Sequence, residues 1–441
     1  MTQTQSAPPA MRPPAAVPGT ALPSAAAQAP SRRGAIANWF EGTPGRMRAF
    51  LILAAAMSVI FGLAAAQGFS QSGGALQRAQ ANAAQLVRIQ AIHTNLVSAN
   101  ADATNAFLVG GLEPPDQRAH FVNSMAAAAG LIAEAATAQP ADRDVLGALN
   151  KTLITYEGLI EQARANNRQG LPIGSQYLKD ANSVLQDDSL PLVKALVEAN
   201  EKRVDTEFDG ISYGTIWVLV AGLLTLVVFG ITLRWLARRT HRYINVPIAA
   251  GAVLVLLTTA VGGIALASAS GSAKDTRNSE YERTLALSRA RIAAYDARSN
   301  ESLTLIARGS GDTFDKAYNA AAGEVTTQLG KLSGNDSSLT SSWQQYQNIH
   351  KQVRDDDTSG KWDDAVVLAV GKTNDSNSVS TFTAFDKTSD SHLQDSSTAV
   401  QSRLKNTRDG LPPIGWLGVP IGIAAALLVA WGMSQRLEEY R

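Results

Sequence analysis

The chain has 441 residues, with 39 Lys and Arg against 38 Asp and Glu, so its overall charge carries no nucleic-acid signature. It contains no cysteine, which excludes disulfides, thiolate chemistry and Cys-ligated metal sites. Few aromatics in an Ala-rich background favour an all-α fold over sheets, and four apolar blocks break an otherwise ordinary hydropathy.

Within the tail 1–45, residues 1–31 are rich in Pro, Ala, Gln, Ser and Thr and nearly free of large apolar side chains, while Trp39 and Phe40 could lie at the membrane interface. Such a segment cannot offset its ordering entropy and reads as a disordered cytoplasmic tail. Arg32, Arg33, Arg46 and Arg48 hold this end inside by the positive-inside rule. Residues 49–66 then form the first transmembrane helix, the alternative being a cleaved signal peptide ending at the small-residue run AAAQ.

Residues 69–213 read as an exported helical bundle. Leu76, Ala83, Gln90, Val97 and Thr104 alternate with Ala79, Leu86, His93, Asn100 and Phe107 at three- and four-residue steps, which makes a bundle seam with polar insertions. Gly110, Gly111 and Pro114 stop this helix, a second runs to Ala138, and Asp142 starts a third that ends at Gln169. After Gly170 and Pro172 a long fourth helix, kinked or interrupted at Pro191, feeds the second span at residues 215–233. The basic loop 234–245, with Arg234, Arg238, Arg239 and Arg242, lies on the cytoplasmic side before the third span at 246–268.

The second exported bundle, residues 271–412, repeats this plan. Tyr281, Ser288, Tyr295 and Ser302 interleave with Leu285, Ile292, Ser299 and Ile306 along its seam. Breaks follow at 309–311, at 334–336 and at Gly360. Its last helix, with Phe382, Phe385, Leu393, Val400 and Leu404 in a Ser/Thr/Asp-rich background, has poor intrinsic helix preference. The fourth span, 414–433, returns to a cytoplasmic tail at 434–441. The two halves look like copies of one cassette. YEGLIEQARANNRQG (156–170) aligns without gaps on YQNIHKQVRDDDTSG (346–360), matching Tyr156, Gln162, Arg164 and Gly170 to Tyr346, Gln352, Arg354 and Gly360.

Nothing in the chain reads as an enzyme. His93, His120, His241, His350 and His392 have no metal-ligand spacing, and there is no phosphate loop, nucleotide glycine fingerprint or nucleophile elbow, so no cofactor or metal is expected. The spans hold no Asp, Glu, Lys, Arg or His, which speaks against a transporter, and the pair Gly262-Gly263 suits close helix packing. What remains is recognition outside with a consequence inside. Polar seam residues cost stability unless paired, so His93, Asn100 and Asp102 in the first bundle and Asn300 and Glu301 in the second are candidates for lining a ligand cavity, or else pair within the bundles. Arg164 and Arg354 are placed to grip a carboxylate or to form helix-surface salt bridges. Arg234, Arg238, Arg239 and Arg242 offer contact to an acidic cytoplasmic partner, or anchor the topology alone.

A helical domain of about 145 residues between two spans resembles the sensor half of bacterial chemoreceptors and histidine kinases with four-helix-bundle input domains. Those proteins continue into a signalling module, whereas here only the basic loop and SQRLEEYR follow. Two such cassettes in tandem after a Pro/Ala-rich start resemble the GlnX-type four-pass membrane proteins of actinobacteria. That resemblance implies an extracytoplasmic solute-binding lipoprotein that carries an amino acid to the bundles, and a cytoplasmic serine/threonine kinase, PknG, as the receiving partner. The chain is thus expected to be a non-enzymatic plasma-membrane sensor, possible as a homo-oligomer. A ligand-free scaffold of a cell-envelope complex, and direct sensing by the bundles without a binding protein, are the competing expectations.

Overall fold

A computed structural model describes residues 42–109, 112–240, 245–332, 336–371 and 376–438. The tail 1–41, the expected breaks at Gly110, Gly111 and Gly334, the loop residues His241 and Arg242 and the final residues 439–441 lie outside the described residues.

The first apolar block and the seam beyond it form one unbroken helix, α1 (Gly42–Val109), 68 residues long. Alanine and leucine lose little on entering a helix, and no proline follows its first turn. Next comes α2 (Pro115–Ala138), with proline at its first position, where the missing N–H is no loss. A 3₁₀ turn at Pro140–Asp142 leads to α3 (Arg143–Arg168). Then follow α4 (Ile173–Ser183), a π-helical turn at Val184–Ser189 and α5 (Leu190–Thr240), which runs through the second apolar block. Pro191 has no N–H for the carbonyl four residues back, and the ladder widens into the π turn just upstream instead of breaking.

The second cassette begins with α6 (Val246–Thr276), which passes through a π turn (Arg277–Tyr281) into α7 (Glu282–Ile306). It continues as α8 (Asp312–Gly330), α9 (Ser337–Thr358), α10 (Trp362–Val370), α11 (Ser378–Asp409) and α12 (Ile414–Glu438). No strand occurs among the described residues, as an all-α chain requires.

The duplicated segment closes identically in both halves. Gly170 (φ +69°) and Gly360 (φ +80°) take the left-handed conformation after α3 and α9, where a side chain would be strained. Leu171 N–H bonds Asn166 O and Lys361 N–H bonds Asp356 O, both at 2.9 Å. Despite its weak propensity, α11 forms 32 continuous residues. Asn377 and Ser380 build a reciprocal cap at its start, and Phe382 and Phe385 pack on Tyr346 and Trp343 in the second bundle's core. Tertiary burial overrides propensity there. The short helix α10 has no counterpart in the sequence reading. Its Ala365 and Ala369 cover Leu108, Leu305, Ile349 and Val353 at the tips of both cassettes.

Five stretches are long and apolar enough to cross a membrane, within Gly42–Val109, Pro115–Ala138, Ile173–Arg239, Val246–Ile306 and Ser378–Glu438. Four of them share one apolar cluster, including Phe61 of α1, Phe229 of α5, Val255 of α6 and Val429 of α12. The other, α2, instead buries Phe121, Ala128, Ile132 and Ala135 in the first bundle. Small residues let the four approach closely: a β-carbon on Gly62 would lie 2.6 Å from the Gly418 carbonyl oxygen, and one on Gly263 would lie 2.8 Å from the Leu219 side chain. Their outer faces, with Ile60, Leu223, Leu257 and Leu427, are exposed and apolar. Beyond them, Leu76, Leu86, Val204, Tyr281, Leu285 and Leu404 form a cluster shared by both cassettes.

Candidate functional site

α1 and α7, the helices that open the two bundles, lie side by side and parallel. Asn100 sits beside Ser299, Asn105 beside Ser302, and Leu108 shares a cluster with Leu305. The contact between cassettes is therefore polar in the middle and apolar at the tip. Asn100, 1% exposed, is its node. Its amide donates to Ser299 Oγ at 2.8 Å and to Asn182 Oδ1 at 3.0 Å, and its oxygen accepts from the Tyr156 hydroxyl at 3.2 Å. Ser302 donates to Asn105 Oδ1. Leu303, from the second cassette, inserts into the first bundle's core. Neutral hydrogen-bonding groups in a buried seam set register, because any slip leaves them unpaired.

Charged groups flank this seam. Burial pushes the Asp296 carboxyl of α7 up to about 7, against a hydrogen bond from Gln186 in the π turn of the first cassette. Burial also raises Asp102 to about 6, with Arg298 and His120 pulling down and Asp386 pushing up. Arg291 is buried between Asp386 and Asp390 of α11, and the Arg298 guanidinium lies 4.7 Å over the Phe382 ring.

The sequence-derived site residues fall into separate places. Asn100 is in the seam and Asp102 at its edge. Asn300 bonds its own helix at Asp296 O. Glu301 is buried in the second bundle, where it meets His350 Nδ1 at 2.6 Å, and that ring stacks on Tyr318. His93 Nε2 is buried without a hydrogen-bond partner, and burial pulls its imidazole down to about 4, which keeps it neutral. Arg164 pairs with Glu113, just before α2, and Arg354 with Asp315, in the first turn of α8, so each arginine clamps the third helix of its cassette to the start of the second. The space beside Arg164 is about 20 Å³, room for a single water. At the opposite end of the molecule, Arg234, Arg238 and Arg239 are exposed around a cluster of Met47, Leu236 and Met433, where the ends of α1, α5 and α12 converge.

Ser299, Ser302 and Tyr295 are legible in the sequence as seam positions, but their partners on α1 are not. Arg291, Arg298, Asp296, Asp386 and Asp390 escape sequence reasoning altogether. Their only signal is charge at helix positions that otherwise carry small or apolar residues.

Residues 75–209 match the protein family described as an actinobacterial sensor domain. The matched stretch spans the C-terminal part of α1 through the start of α5, most of the first bundle and its half of the seam. No curated protein and no solved structure matches the chain.

Proposed function

We propose that the protein is a non-enzymatic sensor and signal relay of the plasma membrane. In this reading the chain crosses the membrane four times with both ends in the cytoplasm. The two bundles stand outside, and α2 stays in the first bundle. The similarity of residues 75–209 to a sensor domain supports the sensing role. Arginines at the converging ends of α1, α5 and α12 support the orientation.

The observation that carries the reading is the continuity of α1. One rigid helix joins the apolar layer to the seam, where Asn100 and Asn105 hold the second cassette. A signal that favours one packing of α1 on α7 over another moves the inner end of the same helix. The resemblance noted for the whole chain adds that the signal is an amino acid delivered by a solute-binding lipoprotein, and that the receiver is a serine/threonine kinase.

The chain has no cysteine, so Asn105→Cys with Ser302→Cys introduces one thiol pair at a known contact. Mild crosslinking of the unmodified protein followed by mass spectrometry is expected to recover an extracytoplasmic binding protein and a cytoplasmic kinase. Oxidising the thiol pair is expected to alter the kinase's capture or activity. Recovery of envelope machinery alone, unaffected by the link, rejects the relay in favour of a scaffold.

A further inference from the structure

The end of the molecule farthest from the seam carries basic residues of one kind. The stretches 1–48, 234–245 and 434–441, which adjoin the apolar segments at that end, hold 11 arginines and no lysine. The rest of the chain holds 16 arginines and 12 lysines. Topology does not call for this difference, because lysine and arginine both serve the positive-inside rule. What arginine adds is a planar fork of donors that fits a phosphate group two bonds at a time.

The fold gives these arginines a setting. Where α1, α5 and α12 converge, the rings of Phe50 and Trp235 lie 5.1 Å apart. Arg46 precedes Phe50 by four residues on α1, and Arg239 follows Trp235 by four on α5. Each therefore sits one turn outward of its ring on the same helix face, and the ring pair draws both guanidiniums to one side. Arg46, Arg234, Arg238 and Arg239 are exposed, and among the described residues none has an acidic partner. The described residues of this end hold one carboxylate, the exposed Glu438. Like charges gathered without a counter-charge favour an incoming anion. The apolar run of α5 ends at Leu233, so its arginines lie roughly 2–9 Å further out at about 1.5 Å per residue, the depth of the headgroup layer.

We propose that Arg46 and Arg239, beside the Phe50–Trp235 pair, bind the phosphate of an anionic phospholipid, with Arg234 and Arg238 holding a further headgroup on the adjoining face of α5. The inference rests on the four-span reading but needs neither its ligand nor its kinase. A free phosphate would satisfy the guanidiniums alone, whereas the aromatic surface beneath them fits the glycerol and acyl carbons of a lipid. Such a lipid bridges the inner ends of α1 and α5, the two helices that run from the apolar layer into the first bundle.

The test is native mass spectrometry of the full chain in detergent, titrated with phosphatidylglycerol, cardiolipin and phosphatidylcholine. Retention of the two anionic lipids in preference to phosphatidylcholine is expected. Arg46→Gln with Arg239→Gln should weaken phosphatidylglycerol binding roughly thirtyfold, about fivefold for each basic residue at a membrane surface. Arg46→Lys with Arg239→Lys keeps both charges but loses the forks, so its affinity should fall between those of the unmodified protein and the glutamine pair. Lys151→Gln with Lys194→Gln, which removes two exposed charges from the first bundle, should leave binding unchanged. Melting of each variant in nanodiscs reports that it folds. Equal retention of phosphatidylcholine, affinity unmoved by the glutamine pair, or full affinity in the lysine pair overturns the assignment. Displacement of the lipid by millimolar inorganic phosphate overturns it in favour of a free-phosphate site. If lipid binding fails while the Asn105→Cys/Ser302→Cys link still alters the kinase, the relay stands without the lipid site. Lipid binding with no response to the link leaves the lipid site standing and rejects the relay.

Discussion

Asn100 and Ser299 are 199 positions apart, yet they meet side chain to side chain at 2.8 Å in the middle of the molecule. The bond joins one cassette to the other, and the same asparagine holds Asn182 and Tyr156 of its own bundle. A single side chain thus ties the internal packing of the first bundle to its contact with the second.

Replacing Asn100 with Ala leaves Tyr156, Ser299 and Asn182 without that partner in a buried setting. The expected cost is about 1–3 kcal/mol. Thermal unfolding of the purified protein should show it, while Asn300→Ala, which removes a bond to its own helix, should be close to neutral. Equal effects would mean that the seam is not cooperative.

The two duplicated arginines act within their own cassettes. Arg164→Glu sets two like charges together beside Glu113 and is expected to cost about 1–3 kcal/mol at this partly buried pair. Adding Glu113→Arg should recover most of that loss. Recovery by the double variant alone identifies a clamp, and no recovery would mean that Arg164 has another role.

Stability should vary with pH in two opposed ways. Asp296 and Asp102 have folded-state values raised to about 7 and about 6 from 3.8, so the folded state binds more protons there, and their contribution falls as pH rises from about 4 to those values. His93 is lowered from 6.5 to about 4, so its contribution is lost as pH falls through that window. Relative to the unmodified protein, Asp296→Asn should gain melting temperature toward pH 7.5, and His93→Gln should gain it toward pH 4.5. Parallel curves for either variant would contradict the assigned burial.

The contact of α1 with α12 depends on absent side chains. Gly62→Val puts new atoms against the Gly418 carbonyl and the Gly422 backbone, neither of which can retreat as a side chain would. A lower melting temperature in nanodiscs is expected, whereas Gly130→Ala, on α2 with open space around it, should be neutral or stabilising.

Much of this molecule is local and was readable without coordinates. Apolar block length, the arginines beside each block and the three- and four-residue spacing of Leu76 through Phe107 all act within one helix. The matched segments ending at Gly170 and Gly360 do so as well. Such signals predict helices and their order because hydrogen bonding along a helix depends on near neighbours. Near-neighbour signals are weakest where distant packing decides: they give α11 poor intrinsic preference, and they carry no sign of the nine-residue α10.

The sequence by itself determined an all-helical chain with membrane-length apolar segments and a repeated segment ending at Gly170 and Gly360. Only the tertiary structure decided which face of α1 meets α7, that Asn100 finds Ser299, and that Arg291 is enclosed by Asp386 and Asp390. Those pairings join residues roughly a hundred to two hundred positions apart. They arise because packed helices, parallel for α1 and α7 and antiparallel for α7 and α11, must bury their polar stripes against each other, and no local periodicity specifies the register in which they do so.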